Sequence, residues 1–211
     1  MINLYALLGF GAFLFAAAFL ERWRSNRLDR EAEEERIENL KDVMLQPLME
    51  PSMFWDIIER SKKASHNLDD QIRELKKMLR DLSALDIVAF DGRFHACLLE
   101  LNRFDIWGAI YFLNGGCSDD NFVDFRSWLI GRGRDTFEKV LDDPEAIVDI
   151  VQSGHDYWEG LQYCAADVYT KMTGNILPSS IIITRFSEPK GTIWREEDLF
   201  SLYPRIAKVL G

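Results

Sequence analysis

Apolar and polar positions divide the chain into three stretches with different periods. Ile2 to Leu20 is unbroken apolar sequence whose one strongly polar side chain is Asn3. At about 1.5 Å rise per residue, a helix over this run spans roughly 28 Å, the thickness of a bilayer's hydrocarbon core. Glu21 to Met44 reverses the pattern: charge is dense, Gly and Pro are missing, and only Leu28, Ile37, Leu40 and Met44 are candidates for heptad positions. That reads as a solvated spacer helix, since the apolar positions do not sustain the heptads of a coiled coil. Pro47 and Pro51 end it.

From Ser52 onward the period is helical. Ser52 is the expected N-cap of a helix carrying Phe54, Trp55, Ile57 and Ile58. Leu68, Ile72, Leu75, Leu79 and Leu82 recur every three or four residues. Ser83 and Asp86 read as a capping box for a helix burying Ile87, Phe90, Phe94, Leu98 and Leu101. A fourth helix, Phe104 to Leu113, ends at Asn114-Gly115-Gly116, and Ser118 opens a fifth with Phe122, Phe125, Trp128 and Leu129 inside. Asp143 before Pro144 caps another. Trp158, Leu161, Ala165, Val168 and Met172 predict a long late helix stopped by Gly174. Ile181 to Phe186 alone looks like a strand, and one strand makes no sheet. Trp194 is expected to tuck back onto the helices, with Glu196 to Asp198 opening a short terminal helix. The expected fold is all-α: a transmembrane helix over 1–20, a charged spacer over 21–51, and a multi-helix globular domain over 52–211 with an irregular C-terminal segment.

Charge orients the first segment. Arg22, Arg24, Arg27 and Arg30 follow the apolar run, which predicts a single-pass plasma-membrane protein with its N-terminus outside and its body cytoplasmic. Residues 2–20 then contact the lipid bilayer, and small residues at Gly9, Ala12 and Ala16 leave open a homo-oligomer through this helix. Three cysteines without CxxC spacing (Cys97, Cys117 and Cys164) suit a reducing compartment. A formal net charge of −10 argues against nucleic acid as a partner.

Candidate chemistry concentrates in Asn114-Gly-Gly-Cys-Ser-Asp-Asp-Asn121, followed by Asp124 and Arg126. A Gly-rich turn feeding a helix binds anions only when its positive end is free, and here Asp119 and Asp120 occupy that end. No P-loop lysine is present, so nucleotide binding is not expected. Asp120 and Asp124 lie one turn apart and could face a hard cation, but further oxygen ligands are not evident. Capping by Ser and Asp at a glycine turn accounts for most of the pattern. His66, His95 and His155 stand in no zinc spacing, and His95 and Cys97 point to different helix faces. No metal or cofactor is therefore expected. Trp55, Trp107, Trp128 and Trp158 sit at helical spacing among core residues.

FWDIIERS near the start, DIWGAIYFLNGGCSDDNFVDFRSWLIGRGRDTFEKVLDDPE in the middle and GTIWREEDLFSLYPRIAKVL at the end resemble the bacterial family called domain of unknown function 4240. The resemblance runs from Ser52 to Leu210 and implies a helical domain with no assigned activity. Two roles follow as expectations. The first is a membrane-tethered interaction or regulatory domain for an unidentified cytoplasmic protein. The alternative is an enzyme with an acidic, metal-assisted site across Ser118–Arg126, using Asp119, Asp120, Asp124 and Arg126.

Overall fold

Ser83 and Ser118 each receive a backbone N–H from three residues ahead, and at both points the chain enters a helix as its spacing predicts. The computed structural model describes residues 47–151, 159–178 and 188–211. By its internal contacts the chain forms two units, Met1–Leu45 and Gln46–Gly211. The first lies outside the described residues, as do the apolar run over 1–20, the spacer to Gln46, His155, Trp158 and the strand expected at 181–186.

The second unit is helical. Its elements are α1 (Pro51–Lys63), α2 (Leu68–Arg80), α3 (Ala84–Glu100), α4 (Phe104–Asn114), α5 (Asp119–Gly131) and α6 (Arg134–Asp142). A 3-10 turn, Pro144–Asp149, follows, and a second at Leu161–Tyr163 leads into α7 (Cys164–Thr173). The C-terminal segment holds a 3-10 turn at Glu196–Asp198, α8 (Leu199–Leu202) and α9 (Pro204–Leu210). Among the described residues there is no strand, only an isolated bridge between Arg103 and Lys190.

One expectation about the architecture is corrected. It included a transmembrane helix, and among the described residues no helix is long and apolar enough to cross a membrane. The longest, α3, has 17 residues, about 25 Å at 1.5 Å per residue. It also carries Asp86, Asp91, Arg93 and Glu100. The fold is an all-helical, multi-helix domain.

Two boundaries also differ. The first helix begins at Pro51, not after a Ser52 cap, because proline's fixed φ and missing N–H suit the first helical position. The late helix is shorter than its apolar stripe suggests. Gly160 holds φ +126°, outside helical space, and a Cβ there would meet Ile72 Cδ1 at 2.5 Å. The chain turns at Gly160 and becomes α-helical only at Cys164.

The core is aromatic at its centre. Phe54 of α1 lies 5.1 Å from Phe90 and 6.3 Å from Phe94 of α3, and Trp55 lies 5.1 Å from Phe137 of α6. Burying each such ring removes enough apolar surface to contribute about 2–3 kcal/mol. Helix α7 packs against α2 and α3, with Lys76 bonded to Asp167 at 2.5 Å.

The C-terminal segment clasps α4. Phe200 meets Phe112 edge-on at 4.8 Å, Trp194 packs on Tyr111 at 4.5 Å, and the Tyr203 hydroxyl donates to Asp105 O at 2.7 Å. Trp194 thus tucks back onto the helices as its sequence context predicts. Gly108 permits the approach, since a Cβ there would stand 2.4 Å from Tyr203 Oη and 2.5 Å from Trp194 Cδ1. The first N–H groups of α9 have no partner within their own helix. Glu145 supplies one, with Oε1 accepting from the backbone N–H of Arg205 (2.6 Å) and Ile206 (3.1 Å).

Candidate functional site

The turn between α4 and α5 is built by backbone geometry first. Helix α4 ends at Gly115 with φ +67°, a left-handed cap that glycine adopts without steric cost. The Cys117 carbonyl then accepts the Trp107 indole N–H at 2.9 Å, which ties the turn to α4. Ser118 Oγ accepts from the N–H of Asn121 at 3.2 Å and closes the first turn of α5. Asp119 and Asp120 occupy that first turn, both exposed, where a negative charge is favoured by the helix dipole.

The structure does not gather the four candidate residues around one point. Asp124 sits one turn further along, with Oδ1 accepting from Gln162 Nε2 at 2.6 Å, so it fastens α5 to the start of α7. Arg126 faces the opposite way. It is buried, its Nη1 donates to Leu98 O at 2.9 Å, its Nε donates to Phe122 O at 3.3 Å, and its guanidinium lies 4.5 Å above the Phe122 ring. Burial pulls the Arg126 pKa down to about 10, so it stays charged at neutral pH. Trp107 stacks on the same ring at 5.1 Å, and Phe104 stacks in turn on Trp107. A cation in the core is thereby held by two carbonyls and an aromatic face. Among the described residues no group of three or more His, Cys, Asp or Glu side chains is placed to hold a metal ion.

A second polar feature escapes the sequence reading. Asp91 and His95 lie one turn apart on α3, both buried, with His95 Nδ1 3.2 Å from Asp91 Oδ2 and 2.9 Å from Asp91 O. Burial alone would lower the imidazole pKa. Hydrogen bonding and the charge of Asp91 outweigh it, and the pKa is raised above 6.5. His95 Nε2, on the far side of the ring, is buried and has no hydrogen-bond partner among the described residues. The signal was available as an i, i+4 spacing of Asp and His. His66, in contrast, is exposed. All three cysteines are free and buried, and burial pushes each thiol up to about 12, which makes poor nucleophiles of them.

A family model described as a protein of unknown function (DUF4240) matches residues 49–171, more than half of the chain. The chain belongs to the DUF4240 family. The DUF4240 match takes in α1 to α6 and most of α7, and with them the Ser118–Arg126 segment and the Asp91–His95 pair. It stops short of the tail from Gly191, on which the sequence resemblance also rested. No curated protein and no solved structure matches the chain.

Proposed function

We propose that this DUF4240 domain is an interaction or regulatory module for a partner protein in a reducing compartment. The observation that supports it most is the placement of Arg126. The one cation of the candidate constellation is turned into the core, while Asp119 and Asp120 face solvent and Asp124 holds Gln162. A catalytic group must reach the reacting atoms, and Asp124 and Arg126 are spent on holding helices together. Three free, buried thiols suit the compartment.

Affinity capture on the full chain, followed by reconstitution from purified components, tests this reading. One saturable partner is expected. Failure of every captured protein to bind the purified chain overturns it.

A second reading is an enzyme centred on Ser118–Arg126. It is favoured by the solvent access of Asp119 and Asp120 next to Asp124. Asp120→Ala with Asp124→Ala separates the two: a folded double variant that keeps the cellular phenotype removes the enzyme.

A further inference from the structure

Helix α3 carries an acid–imidazole pair inside the core, with Asp91 only 3 % and His95 only 1 % exposed. His95 Nδ1 lies 2.9 Å from Asp91 O and 3.2 Å from Asp91 Oδ2. A carbonyl only accepts, so Nδ1 holds a hydrogen whatever the charge of the ring. The proton that comes and goes is the one on Nε2, which is buried and has no hydrogen-bond partner among the described residues. Among those residues Asp91 is also the only charge that acts on the ring. On α5, which packs against α3, Asp124 is bonded to Gln162 and Arg126 to Leu98 O, and Asp119 and Asp120 are exposed. On α7, Asp167 is bonded to Lys76 and Lys171 is exposed. On α1, Asp56, Arg60 and Lys63 are exposed, while Glu59 and Lys62 are bonded to the α5–α6 turn. On α3 itself, Arg93 donates to Met49 O, and Asp86 and Glu100 are exposed. The thiols of Cys97 on α3 and Cys164 on α7, pushed up to about 12 by burial, stay uncharged.

We propose that the Asp91–His95 pair is a proton-operated latch: the doubly protonated imidazole holds the middle of α3 in the core, and loss of the Nε2 proton loosens it. An imidazolium beside a carboxylate attracts it strongly where water is excluded. Deprotonation keeps the Nδ1 hydrogen bond but removes the attraction between charges, and the carboxylate stays buried with weaker support. Burial alone would favour the neutral ring. The hydrogen bond and charge of Asp91 outweigh it, and the pKa in the folded chain stands above the ordinary 6.5. Folding therefore takes up a proton between those two values. The latch is fully closed below 6.5, and its contribution is lost as pH rises through the folded-state pKa. Each pH unit separating the two values is worth tenfold in the folding equilibrium constant. What loosens is the helix against which α1, α5 and α7 all pack. The chain's entry into α1 hangs on the same helix, since the Met49 N–H donates to Ala89 O and Arg93 Nε donates to Met49 O. The latch lies in the core and works whether or not the domain binds a partner.

The test is a pH titration of the full chain carrying isotopically labelled histidine, read by the imidazole resonances of its three histidines. His95 is expected to titrate above 6.5. Asp91→Asn is expected to bring it below 6.5, because burial then acts without an opposing charge. Chemical denaturation between about pH 6 and about pH 9 supplies the second readout. His95→Asn keeps an amide donor near the position of Nδ1 but cannot titrate. Across that range the wild type is expected to lose stability relative to His95→Asn, whatever the absolute cost of the substitution. A His95 pKa at or below 6.5 in the wild type, a pKa unmoved by Asp91→Asn, or parallel stability curves for the wild type and His95→Asn each overturn the proposal. The wild-type titration decides by itself if either variant fails to fold.

Discussion

The two ends of α5 solve the same problem by different means. Its N-terminus is capped from within: Ser118 closes the turn, Asp119 and Asp120 face solvent, and no distant residue is needed. Its C-terminal end is capped from elsewhere. Gln71 of α2, ten residues beyond Ser61 and sixty before its target, donates to Gly131 O at 2.7 Å, and Lys62 serves Arg132 O. Glu59 then caps the start of α6, where Gly133 has no side chain to offer. An exposed helix end needs only local chemistry, because water satisfies whatever the cap leaves. A buried end must be matched by side chains that the tertiary fold delivers.

The contrast predicts unequal costs. Gln71→Ala is expected to be the most damaging, at about 2–3 kcal/mol, because it leaves a buried carbonyl unpaired and opens space in the core. Chemical denaturation of the variant measures this directly. A loss below about 0.5 kcal/mol would show that the α5 C-terminus does not depend on α2. Gly133→Ala comes next, at about 1–2 kcal/mol. Gly133 holds φ +94°, and an added Cβ would stand 1.9 Å from Glu59 Oε1, so the backbone strains and the Glu59 cap is displaced. A double-mutant cycle with Glu59→Ala separates the two effects: strain persists in the Ala background, where the cap is already gone.

The same contrast explains what the sequence made legible. Ser83, Ser118, Asp143, Gly115 and Gly174 are local devices, and each is readable from its neighbours within three residues. The apolar stripe of α3 was readable too, since Ile87, Phe90, Phe94, Leu98 and Leu101 are all buried. Glu59 and Gln71 are not readable as caps, because nothing near them in sequence reveals a helix end seventy-five or sixty residues away. Gly160 was hidden inside an apolar stripe that continued across it. For the candidate site, spacing placed Asp119, Asp120, Asp124 and Arg126 on one helix but left unstated that Arg126 points inward. The Asp91–His95 pair is hidden because an i, i+4 spacing of Asp and His is equally common on a solvated helix face, and only the packing around α3 buries both residues.

Local caps should therefore break with small, separable effects. Ser118→Ala is expected to cost about 1 kcal/mol, the ordinary price of an N-cap hydroxyl. Thermal unfolding reads it, and Ser118→Asp should restore most of the loss, which a role in a buried network would not allow.

The smallest effect sharpens the comparison most. Asp119→Asn and Asp120→Asn each remove a charge from the dipole's positive end, worth about 0.3–1 kcal/mol at low ionic strength. Because both side chains are exposed, that contribution is screened and should shrink towards zero near 1 M salt, where the Debye length is about 3 Å. The Gln71→Ala loss involves a neutral hydrogen bond in the core and should not follow salt in this way. Melting both variants at low and high salt sets the two ends of one helix against each other. Equal salt dependence at both ends would mean that the distinction between a solvated cap and a delivered one is wrong for α5.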